Sequence, residues 1–79
     1  MQENYIQIFT TFLGTLVRDE KLSIKDSLRL LKAFAPVCDE ITSRQQLVEF
    51  LEPHINTYWE LKELKKQLSD PNYIFKFEV

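Results

Sequence analysis

Three observations predict an all-α fold, a small bundle of about four helices followed by an extended C-terminal tail. Glycine occurs once, at Gly14, and proline three times, so the chain lacks the turn residues that a multi-stranded sheet requires. Apolar residues recur at helical spacing through most of the chain. Capping residues, Ser23 and then Thr42 or Ser43, stand just ahead of two of these apolar runs.

The first helix is expected near residues 4–18. Tyr5, Ile6, Ile8, Phe9, Phe12, Leu13, Leu16 and Val17 fill about half of its circumference at 100° per residue. So wide an arc points to a central helix contacted from several sides, or to half of a homodimer interface. The polar break Arg18-Asp19-Glu20-Lys21 follows. A second helix over 23–35 is capped by Ser23, with Asp26 positioned to reach back as the acid of a capping box. Ile24, Leu28, Leu31, Phe34 and Ala35 share one face, and Pro36 ends the helix by driving Ala35 out of helical geometry.

Residues 36–41 read as a connection. Thr42 and Ser43 each precede a glutamine by three residues, and Leu47, Val48, Phe50 and Leu51 form the apolar face of a third helix over 43–52. Pro53 either ends that helix or begins a fourth, expected over 54–68. Within it Ile55, Tyr58, Leu61 and Leu64 recur every three residues, short of the helical period, so their line drifts around the axis. The expected core is Phe9, Phe12, Leu16, Leu28, Leu31, Phe34, Leu47, Phe50, Leu51, Tyr58 and Leu61.

Ser69-Asp70-Pro71-Asn72 closes the helical domain, residues 1–71. The tail, residues 72–79, alternates Tyr73, Phe75, Phe77 and Val79 against Ile74, Lys76 and Glu78, the period-two pattern of a strand. A lone strand either lies over the bundle, pairs with a second copy, or adds to a sheet edge on another protein.

Composition bounds the function. With 44% hydrophobic and 28% charged residues the chain is a folded domain, and at 79 residues it has one core of modest size. A net charge of −2 provides no global attraction to nucleic acid or anionic membrane. The amino terminus has no basic region ahead of its apolar residues, and Thr10, Thr11, Gly14 and Thr15 interrupt the run, which argues against a signal peptide or a membrane span. Cys38 is the only cysteine, which fits the reducing cytoplasm.

No catalytic, metal or cofactor motif is evident. Asp19 to Leu30 has neither the turn glycine nor the terminal glutamate of a calcium loop. One cysteine and one histidine, Cys38 and His54, fall short of a zinc site, and the carboxylates are scattered as solvated charges. The expected function is therefore a non-enzymatic protein–protein interaction module, with the aromatic tail residues Tyr73, Phe75 and Phe77, the lone Trp59, and the basic Lys25, Arg29 and Lys32 as candidate contacts. The alternative is a nucleic-acid-binding domain using the Lys25/Arg29/Lys32 and Lys62/Lys65/Lys66 clusters, the second beside Trp59. Its weakness is the acidic overall balance, with Glu49 and Glu52 on the third helix where a recognition helix is basic.

Overall fold

The computed structural model describes residues 3–77. Among them are four α-helices, α1 (Tyr5–Arg18), α2 (Ile24–Phe34), α3 (Arg44–Ile55) and α4 (Leu61–Ser69), a 3₁₀ segment (Ala35–Glu40) and no β-strand. The all-α bundle is as expected. α1 packs against α2, and α3 and α4 form a tight antiparallel hairpin fastened at its surface by Lys65 on Glu52, 2.7 Å.

The caps follow from side-chain chemistry. Asn4 and Ser23 accept the Gln7 and Asp26 amides at 3.0 Å, and Ser43 accepts the Gln46 amide at 3.2 Å. Gln46 reaches back to the Thr42 amide at 2.7 Å, closing a capping box one residue upstream of Ser43. Asp26 does not reach back to Ser23. One methylene shorter than glutamate, it turns outward, to Arg29 at 3.5 Å and the Tyr58 hydroxyl at 3.5 Å. In the α1–α2 turn Glu20 adopts a φ of 60°, a left-handed conformation that lets Lys21 and Leu22 donate to the Leu16 carbonyl and end the helix.

The core runs through all four helices. Phe9 is fully buried, its ring 4.6 Å from Phe34 and 5.5 Å, edge-on, from Phe50. Leu13, Leu30, Leu47, Leu51, Leu61 and Leu64 are likewise sealed. Among the described residues no buried side-chain nitrogen or oxygen lacks a hydrogen-bond partner. The wide apolar arc of α1 is taken up largely by this core: Phe12 and Val17 are half-buried, and Ile6 alone of its large apolar residues is exposed.

Three expectations require correction. First, α2 is turned by roughly a quarter-turn from the expected face. Leu28 and Ile24 are exposed, and Ser27, Leu30 and Phe34 face the core, with Leu31 half-buried at the edge. Ser27 makes this possible, because its hydroxyl donates to the Ile24 carbonyl at 2.9 Å and enters the core already satisfied. Second, the connection expected over 36–41 is largely a 3₁₀ segment, Ala35–Glu40, that continues from α2; none of its own residues is fully buried, whereas Ile41 just after it joins the core. Third, no helix spans 54–68. α3 continues through Pro53, which forfeits one backbone bond near the helix end, and residues 56–60 form a turn held by the Tyr58 amide on the His54 carbonyl at 2.9 Å. The drifting line of apolar residues thus belongs to two helices: Ile55 ends α3, while Leu61, Leu64 and Leu68 share the buried face of α4. Tyr58 is half-buried in the turn rather than in a helix.

Among the described residues the tail, 72–77, has no strand partner. An Asp70-Pro71-Asn72 turn, in which the Asp70 carboxylate accepts the Asn72 amide at 2.9 Å, releases it from α4. Phe75 and Phe77 then pack against the core while Ile74 and Lys76 face out, so the alternation is that of a strand although no partner strand is present among the described residues. Glu78 and Val79 lie outside the described residues.

Candidate functional site

The quarter-turn of α2 creates its most unusual surface. Ile24 and Leu28 remain 66% and 59% exposed, among the largest exposures of any apolar side chain described. With half-buried Leu31 they recur at i, i+4 and i+7, forming a straight apolar rail along the helix. Lys25, Arg29 and Lys32 repeat the same spacing one residue later, all exposed, so a basic rail runs beside the apolar one. Arg29 touches Asp26 at 3.5 Å with its side chain 61% exposed, a contact too solvated to neutralise it. The three basic residues singled out in the sequence are therefore brought together, and the structure adds Ile24 and Leu28. Leu28 was expected in the core and Ile24 on the same apolar face; both are exposed. The signal that separates the faces is Ser27, a small residue able to satisfy its own hydroxyl at a buried position of α2.

Trp59 is placed elsewhere. It projects from the α3–α4 turn, 68% exposed, over a cleft of about 520 Å³ floored by Phe12 and Leu16 and edged by Asp19, Lys21, Glu60 and Glu63. Lys62, Lys65 and Lys66 line a separate depression with Glu52 and Ile55. Trp59 and this lysine cluster are therefore not joined in one cleft, and the residues edging the tryptophan are chiefly acidic.

The tail residues are fixed by Arg44, which no sequence pattern singled out. At the first turn of α3 its guanidinium donates to Glu3 through Nε at 2.8 Å and Nη2 at 2.7 Å, and to the Asp70 and Tyr73 carbonyls at 2.9 and 2.6 Å. It also lies 5.0 Å above the Phe75 ring, which meets Tyr73 edge-on at 4.9 Å. These hydrogen bonds from Arg44 hold the Glu3 carboxyl below its ordinary range despite opposing desolvation. Burial, reinforced by the Glu3 charge, pushes the Tyr5 phenol up. Of the tail candidates, Phe75 and Phe77 are half-buried on the bundle, and Tyr73 is only partly exposed at its edge.

Cys38 and His54 have separate surroundings. The Cys38 thiol lies 3.9 Å from the Asp39 carboxylate, while the His54 ring sits 5.1 Å from that of Phe50. Among the described residues no three His, Cys, Asp or Glu side chains converge as a metal site, and no helix is long and apolar enough to cross a membrane. Comparison of the chain with family models, with curated proteins and with solved structures finds no match.

Proposed function

We propose that the chain is a non-enzymatic protein-interaction module, a small adaptor, regulator or accessory subunit of the cytoplasm. The observation that carries this reading is the exposure of Ile24 and Leu28 on α2, beside Lys25, Arg29 and Lys32, above a core that is already closed. Isolated exposed apolar residues are ordinary, but an isoleucine and a leucine in register along one helix form a surface that gains by being covered. The cytoplasmic setting is supported by the single, unpaired Cys38.

The partner is another protein or a second copy of the chain. A homodimer through α1 has little support left, since Ile6 is its one exposed large apolar residue; α2 offers the better face. Nucleic-acid binding is the weaker reading, because Ile24 and Leu28 would sit against phosphates and the acidic residues edge Trp59.

Site-specific photo-crosslinking in the native host tests the proposal. A photoreactive residue at position 28 should yield a discrete protein adduct that the same residue at the exposed position 45 of α3 does not. Adducts to nucleic acid, or equal labelling from both positions, would count against it.

A further inference from the structure

Resting on that reading, we infer that the two rails of α2 form a docking strip for an acidic amphipathic helix of a partner protein. The strip has a definite metric. Ile24, Leu28 and Leu31 span about 10.5 Å at 1.5 Å per residue, with intermediate steps of about 6 and 4.5 Å. A partner helix lying along α2 repeats these steps with its own i, i+4 and i+7 residues. A strand, whose same-face residues are about 6.7 Å apart, overshoots the third position by about 3 Å. Spacing therefore selects a helix.

Charge selects its sign. Lys25, Arg29 and Lys32 flank the apolar rail on one side and are exposed throughout. Among the described residues the only carboxylate that touches them is Asp26, on Arg29 at 3.5 Å. A partner helix with leucine-like residues over Ile24 and Leu28, and glutamate or aspartate along one flank, provides each cation with a counter-charge at the edge of an apolar seam. This is the arrangement that fixes partner choice in coiled coils. Pairing α2 with a second α2 does not. In an antiparallel two-fold pair both basic rails fall on the same edge, and in a parallel pair neither meets a carboxylate. A duplex nucleic acid satisfies the cations but leaves the apolar rail against charge.

Amide NMR titration of the intact chain tests the inference with three probes: a short alanine-based helix carrying leucines at i, i+4 and i+7 with glutamates beside them, its twin with lysine at every glutamate, and a short DNA duplex. The expected result is saturable shifts confined to α2 and its flanks with the acidic helix, about tenfold weaker binding of the basic twin, and loss of binding in Leu28→Ala and in Lys25→Glu/Lys32→Glu. Because all three substituted positions are exposed, both variants should melt with the wild type. The glutamate-to-lysine twin gives the same information even if a variant does not fold. Equal binding of both helices would overturn the charge assignment while leaving a protein-interaction surface. Self-association abolished by Leu28→Ala, without peptide binding, would make the occupant a second copy, again sparing only the broader reading. Tighter binding of the duplex than of either helix would overturn both. If no probe shifts α2, the docking strip is refuted, and the crosslinking from position 28 then decides the broader reading alone.

Discussion

Arg44 and Glu3, forty-one residues apart in the chain, meet through two parallel hydrogen bonds of 2.8 and 2.7 Å. The pair is only partly exposed, 22% and 33% for the two side chains, and the guanidinium also donates to the Asp70 carbonyl after α4 and the Tyr73 carbonyl in the tail. Two-point recognition of a carboxylate is the strong form of an ion pair, and the planar fork of arginine is what permits it. Arg44→Ala should cost ~2 kcal/mol, read as a fall in melting temperature. Arg44→Lys should recover less than half, because an ammonium cannot serve the carboxylate and both carbonyls at once.

The same pair predicts a pH dependence. The folded-state pKa of Glu3 lies below its unfolded value, so its contribution to stability is present above the ordinary carboxylate range. It is lost as pH falls through that range and then through the depressed folded value. Comparing urea unfolding at neutral and acidic pH, Glu3→Gln should lose more stability at neutral pH and converge with the wild type in acid.

Phe9→Ala should unfold the domain, removing a fully buried ring in contact with Phe34 and Phe50 at a cost of ~3–5 kcal/mol. Phe12→Ala should cost less, because Phe12 is half-buried and already borders the open cleft under Trp59. Chemical denaturation of the two variants side by side measures the difference, and an equal loss would mean that Phe12 is sealed.

On α2 the two leucines two residues apart should behave oppositely. Leu28→Gln should change stability by no more than about 0.5 kcal/mol, whereas Leu30→Gln buries an amide with no partner and should prevent folding. Circular dichroism melts of both variants test the quarter-turn of the helix directly.

Deleting residues 72–79 should lower the melting temperature without altering the sedimenting mass, because Phe75 and Phe77 cover the core and Arg44 loses the Tyr73 carbonyl. A change in mass would instead make the tail an assembly strand. Gly14→Ala should act in the other direction. Gly14 is exposed in α1 with nothing within 4 Å of an added Cβ, so alanine should stabilise by ~0.5–1 kcal/mol.

The helices were legible in the sequence because their signals are local. Ser23 and Ser43 cap where expected, α2 stops near Ala35, although Ala35 keeps helical angles and the chain runs on through Pro36 as a 3₁₀ segment, and Phe9, Phe34 and Leu47 are buried. What was not legible depends on how helices rotate and meet. Ile24-Leu28-Leu31 and Ser27-Leu30-Phe34 are both plausible faces of α2, and only the packing of Leu30 and Phe34 decides between them. Pro53 neither ends α3 nor begins α4: it lies inside α3, which runs on to Ile55 before the chain turns. The basic residues of the candidate site could be read from spacing alone. Their apolar neighbours could not, because exposure is a tertiary property. Arg44 was hidden for the same reason, since its partners are drawn from both ends of the chain.

That last fact has a consequence for how the protein comes into being. Arg44 engages a carboxylate made before it, on Glu3, and two carbonyls made after it, on Asp70 and Tyr73. A chain emerging from the ribosome presents Glu3 and Arg44 while the α4 sequence is still being threaded, and the guanidinium then has only one of its three companions. α1, α2 and α3 can begin to associate at that stage, but the fastening waits for the tail to be released. The Arg44 contacts are thus complete only once residues 70–73 are free of the ribosome, and a chain stalled before residue 70 would linger with Leu47, Val48 and Leu51 uncovered by α4.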